Sequence, residues 1–166
     1  MTAIAAAVAA ALLAQAGCGY RFAAMGPDMP VYVRMLENRT TESGIENLVT
    51  DGLQKEFARS GQFSEARRPE GAAVLSGEVT GVRESSAAKR VGGESTERNI
   101  RVTVRLALKG RDGVRIAGPL EFTERETYVV EAAREATLAH RERAVERLSR
   151  RIAQKARHEL AARLAE

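Results

Sequence analysis

Apolar and polar positions alternate along several stretches of this chain and recur at spacings of three and four along two others, which predicts strands and amphipathic helices respectively. In "PVYVRMLENRT", Val31, Val33 and Met35 alternate with Tyr32, Arg34 and Leu36, a strand with one clearly apolar face. Asn38-Arg39-Thr40 after it reads as a polar turn. Ser43-Gly44-Ile45-Glu46 has the form of a capping box, in which Ser and Glu would each satisfy a free helix amide. The helix it opens carries Ile45, Leu48, Val49, Gly52, Leu53 and Phe57 on one stripe, and Ser60-Gly61 closes it with a glycine suited to the left-handed position.

"AAVLSGEVTGV" is a second strand, with Ala73, Leu75, Gly77 and Val79 on one side and Ser76, Glu78 and Thr80 on the other. "RESSAAKRVGGEST" lacks periodicity and is rich in Gly, Ser and charge, which predicts a long hairpin loop. The cleanest alternation follows: Ile100, Val102, Val104, Leu106 and Leu108 inward, Arg101, Thr103, Arg105 and Lys109 outward. Gly110-Arg111-Asp112-Gly113 makes the next turn. A fourth strand runs from about Val114 to Arg125, where Pro119 implies an edge position or a break. From about Glu131 a single helix keeps a narrow seam of Leu138, Val145, Leu148, Ile152, Ala156, Leu160 and Leu164. It also offers the i,i+4 pairs Glu146–Arg150 and Glu159–Arg163. At roughly 50 Å it outruns strands of about 33 Å, so it must overhang the sheet, kink or meet another surface.

The resulting order is β-α-β-β-β-α. One apolar face per strand and two amphipathic helices to cover it predict a two-layer α+β sandwich. Its sheet is four-stranded, mixed and mostly antiparallel, with both helices on one face and the opposite face polar and open.

Charge and chemistry narrow the function classes. Lys+Arg 26 against Asp+Glu 22 gives a net +4, but the signs are interleaved and aromatics are only 4%, which is no nucleic-acid footprint. One cysteine excludes an internal disulfide and a multi-thiolate zinc site. His140 and His158 would lie about 27 Å apart along one helix, so they cannot share a metal. No carboxylate pair, Ser/His/Asp set or phosphate-cradling glycine loop stands in a strand-to-helix context, so no enzyme and no cofactor is predicted.

The cysteine has a better explanation in its placement. Every residue from Ala3 to Ala14 is apolar, a length that suits a signal-peptide core and falls short of the roughly 20 needed to span a bilayer. Ala16 and Gly17 follow, then Cys18. The segment is similar to a bacterial lipobox, although Gln15 replaces the usual aliphatic residue and no Lys or Arg precedes the apolar run. An Ala-rich terminal helix with an incidentally buried thiol is the other reading. The lipobox reading divides the chain into a signal peptide, residues 1–17, and one domain, 18–166, lipidated at Cys18. Gly19, where Asp often retains lipoproteins at the inner membrane, implies the periplasmic side of the outer membrane.

Together, "CGYRF", "VYVRMLENRT", "GIENLVTDGLQKEFARSGQF", "AAVLSGEVTGV" and "ERETYVVEAAREATLAHRERAVERLSRRIAQKARHEL" resemble, in order and spacing, the LptE family of lipopolysaccharide assembly. The resemblance implies a non-enzymatic plug within the lipopolysaccharide-inserting outer-membrane β-barrel (LptD-like), helping it assemble and contacting lipopolysaccharide. Arg101, Arg105 and Lys109 then become candidates for facing the barrel. Lys89 and Arg90 at the hairpin tip, with Arg83 and Arg98 at its base, become candidates for the lipid phosphates. The same residues fit a lipidated periplasmic adaptor or pilot protein for another envelope complex.

Overall fold

The computed structural model describes residues 29–88 and 96–165. The elements are β1 Met29–Val33, β2 Glu37–Asn38, α1 Ile45–Ala58, β3 Phe63–Glu65, β4 Ala73–Ala88, β5 Glu97–Lys109, β6 Arg115–Val129 and α2 Arg134–Leu164. The sheet runs β3-β1-β4-β5-β6, and β2 continues beside β4 where β1 leaves it. The three short strands pair in parallel, while β4, β5 and β6 form a long antiparallel meander. The α+β two-layer reading holds with six strands in place of four, because β2 and β3 are too short to show a period in sequence.

The core lies between the sheet and both helices. From β5 it takes Ile100, Val102, Val104, Leu106 and Leu108, all nearly inaccessible to solvent, as the alternation predicts. β4 adds Leu75 and Val79, α1 adds Val49, Leu53 and Phe57, and α2 adds Val145, Leu148, Ile152 and Leu160. Phe57 meets Phe63 of β3 with ring centroids 5.1 Å apart and tilted by 47°. Gly52 lets the helices cross closely: a Cβ there would stand 3.1 Å from Ser149 Cβ.

Several local expectations are corrected. β1 ends at Val33, and the chain turns so that Leu36 is buried and Met35 is 56% exposed. Leu36 N–H donates to buried Thr50 Oγ1 at 3.1 Å, and that bond holds the turn. α1 has no capping box: its N-cap is Gly44, at φ 84, without a side-chain cap. Glu46 instead accepts from Asn38 Nδ2 at 2.7 Å, and Asn38 Oδ1 accepts from Thr40 N–H, which makes residues 38–40 the polar turn foreseen. The helix closes on Arg59 in the right-handed region, not on a left-handed Gly61. Leu138 is 52% exposed and leaves the α2 seam, which Ala144, Ser149 and Ala153 complete.

The first six residues of the expected loop, 83–88, are strand, since β4 continues to Ala88, and β5 starts at Glu97 directly after that loop. The strands are therefore long enough for α2. Its 31 residues extend about 46 Å and the 15 of β6 about 50 Å, so it needs neither overhang nor kink. β6 is an edge strand, with Pro119 at a register shift, as the proline implied. β4 carries an extra residue at Thr80, where the register steps from Val79 to Gly81, so its inward set changes from odd to even numbers.

Candidate functional site

Register places the outward side chains of β4, β5 and β6 in rows across the open face. In one row Arg105 stands between Glu78 and Glu121 and bonds to both, at 3.1 and 3.4 Å. Glu78 also pairs with Arg39 at 3.3 Å, which in turn meets Glu37 at 2.7 Å. Signs alternate, and every charge is answered. The next row joins Gly81, Thr103 and Thr123, whose threonine hydroxyls lie 3.0 Å apart.

The row after that is of another kind. Arg83 pairs in register with Arg101, and Arg101 with Arg125. All three are exposed, and none forms an ion pair among the described residues. Directly opposed like charges destabilise a sheet, so three arginines abreast are a cost that folding gives no reason to bear. Beyond them, Ser85, Asn99 and Thr127 form a neutral row, Thr127 Oγ1 donating to Asn99 Oδ1 at 2.8 Å. The trio is thus flanked by hydroxyls and amides. Guanidinium forks on a rigid strand ladder, with neutral hydrogen-bonding neighbours, suit phosphate or carboxylate oxygens.

The helix-facing side treats its charges oppositely. Glu84 accepts from Arg141 Nε at 2.7 Å and from Tyr128 Oη at 2.9 Å, with Arg98 at 3.7 Å. Glu124 and Glu126, beneath α2, bind Arg151 at 3.0 and 2.7 Å; Arg147 holds Glu126 at 2.8 Å, and Lys155 also reaches Glu124. Partial burial works to raise the pKa of Glu84, Glu124 and Glu126, but hydrogen bonds from these cations outweigh it and hold all three below the ordinary carboxylate value. These ion pairs fasten α2 along β6.

The candidates from sequence separate accordingly. Arg83 and Arg101 come together; Arg98 turns to the helix side and pairs with Glu84; Arg105 is bound between two glutamates; Lys109 stands at the far end of β5, about 26 Å from Arg101. Cys18, Lys89 and Arg90 lie outside the described residues. Arg125 was not foreseen. The alternation Glu121, Thr123, Arg125, Thr127 marks its face, but its place opposite Arg101 depends on the register shift near Pro119. Among the described residues no cluster of His, Cys, Asp or Glu could hold a metal ion, and no helix is long and apolar enough to cross a membrane. His140 sits 2.6 Å from Glu131, and His158 contacts Arg157 at the other end of α2.

Fold and site together define a two-layer α+β domain that covers one sheet face with helices and, among the described residues, leaves the other charged and bare. The lipopolysaccharide-assembly family model LptE matches residues 29–160, and the chain belongs to that family, a non-enzymatic family of envelope lipoproteins serving lipopolysaccharide assembly. The fold is similar to that of a Caulobacter crescentus CB15 protein provisionally classed as a lipoprotein, with TM-score 0.54 and 20% identity over 79% of this chain and 91% of that one. It is also similar to the rare lipoprotein B of Shewanella oneidensis, with TM-score 0.52 and 15% identity over 79% and 94%. A hypothetical protein of Chlamydia trachomatis shares it at TM-score 0.54 and 9% identity over 81% and 99%. No curated protein matches the sequence significantly.

Proposed function

We propose that this protein is an outer-membrane lipoprotein, cleaved before Cys18 and anchored there on the periplasmic side. In this reading it sits as a plug in the lipopolysaccharide-inserting β-barrel, helps that barrel assemble, and contacts lipopolysaccharide in transit. Membership of the family supports the assembly role. The observation that carries the lipid contact is the row Arg83–Arg101–Arg125, three uncompensated guanidinium groups on the open sheet face. Lipid A phosphates would supply the missing anions, each through bidentate charge-assisted bonds. Arg105 and its two glutamates give the face the hydrated polar character that a barrel lumen matches.

Affinity purification of the tagged full-length protein should recover a large outer-membrane barrel in near-equal amount, and recovery of a different envelope complex alone overturns the plug. Cys18→Ser should abolish palmitate labelling. Replacing Arg83, Arg101 and Arg125 by Gln should weaken lipopolysaccharide binding while leaving the circular dichroism unchanged; undiminished binding removes the row from the mechanism.

A further inference from the structure

At the end of the sheet where the described chain begins, Met29, Ala73, Val114 and Ile116 line an apolar groove of about 600 Å³. Val114 is 63% and Ile116 36% exposed, although both flank a tightly built turn. Gly110 N–H donates to Val114 O at 2.7 Å, Gly113 N–H to Gly110 O at 3.0 Å, and Val114 N–H to Asp112 Oδ1 at 3.0 Å. Gly113 adopts φ 78, a left-handed position that favours glycine. The turn is therefore shaped to hold an aliphatic side chain out in solvent.

Charge at that tip is predominantly positive. Lys109, Arg111 and Arg115 are exposed and form no ion pair among the described residues, and they outnumber the one acid of the turn, Asp112, whose Oδ1 accepts the Val114 N–H. An aliphatic point with a cationic rim matches an anionic lipid surface, whose acyl region takes the valine and isoleucine while headgroups meet the cations. The chain also enters the fold here. Met29 lines the groove, and the segment leading back to Cys18 joins at Met29.

We infer that the 110–116 turn, with Met29, is a membrane-contact surface that rests on anionic phospholipid at the anchored end of the protein. The anchor rests on the lipoprotein reading above, but the contact is tested apart from it. The protein has no tryptophan, so Val114→Trp is a single reporter. The full-length variant, reconstituted into phosphatidylethanolamine vesicles containing phosphatidylglycerol, should emit at shorter wavelength and be quenched by brominated acyl chains. Ile116→Trp is the second probe, should Val114→Trp disturb the turn, and Thr123→Trp on the open sheet face should stay unquenched. Replacing Lys109, Arg111 and Arg115 by Gln should lower tip partitioning by about a hundredfold in anionic vesicles, from roughly 1 kcal/mol per cation. Water-like, unquenched emission from both tip probes overturns the proposal, and so does equal quenching in phosphatidylcholine vesicles. The mass of the mature N-terminus reports acylation separately: an unacylated chain with a quenched tip overturns the anchor alone, and an acylated chain with an unquenched tip overturns the contact alone.

Discussion

Arg101 is flanked in register by Arg83 and Arg125, so its removal should make the protein more stable while impairing its work. Opposed residues in a sheet are about 5 Å apart at Cβ, and exposed guanidinium groups on them separate to about 6 Å. Two unit charges at that distance in water repel by about 0.7 kcal/mol, and physiological salt roughly halves this. With two neighbours, Arg101→Gln should gain about 0.7 kcal/mol. Arg101→Glu turns both repulsions into attractions, reproducing in opposite sign the Glu78–Arg105–Glu121 row two rows away, and should gain about 1.4 kcal/mol. Urea denaturation reads this as a raised midpoint at unchanged slope. In 1 M salt, where screening acts over about 3 Å, the gain should vanish. Lipopolysaccharide affinity should fall tenfold or more, since one charge-assisted hydrogen bond contributes about 1.5–3 kcal/mol. If Arg101→Glu lowers stability, or its gain survives high salt, repulsion along the row is not what the geometry implies. If affinity is unchanged, the row does not hold the lipid.

Other perturbations test the scaffold. Gly77→Ala would place its Cβ 2.2 Å from the Arg105 carbonyl oxygen, a backbone clash that should cost about 3 kcal/mol and show as a sharp fall in folded yield. Leu148→Ala, at a fully buried position in α2, should cost about 2–5 kcal/mol by urea titration. Because the pKa values of Glu84, Glu124 and Glu126 are depressed on folding, their contribution is present above the ordinary value of 4.5 and is lost as pH falls through the lowered folded values. Thermal melts should therefore weaken progressively below about pH 4.5, and Glu124→Gln should flatten that dependence.

The strands were legible where one face is buried along their whole length, as in β5, because a two-residue period leaves a continuous record of that face. β2 and β3 left none, being only 2 and 3 residues long. The outer half of β4 was hidden for a different reason. Glu84 lies on the helix side, bonded to Arg141 and Tyr128, so a polar residue occupies a position that periodicity assigns to an apolar one. The same substitution of ion pairs for grease conceals Glu124 and Glu126 under α2. Of the site, sequence showed Arg83 and Arg101 as cations but not as neighbours. Their meeting is a matter of register, to which Arg125 adds a third strand.

The extra residue at Thr80 bears on how such a surface originates. Had Thr80 entered the ladder and β4 kept one register past Val79, Val82 would sit opposite Arg101, Arg83 would point under the helices, and Glu84 would emerge beside Asn99. Removing Thr80 itself would straighten the strand and leave Arg83 opposite Arg101, so it is the bulge, by absorbing the extra residue, that keeps the cationic patch together. Across homologues, an arginine aligned with Arg83 therefore belongs to the patch only where a residue added after Val79 is matched by a bulge.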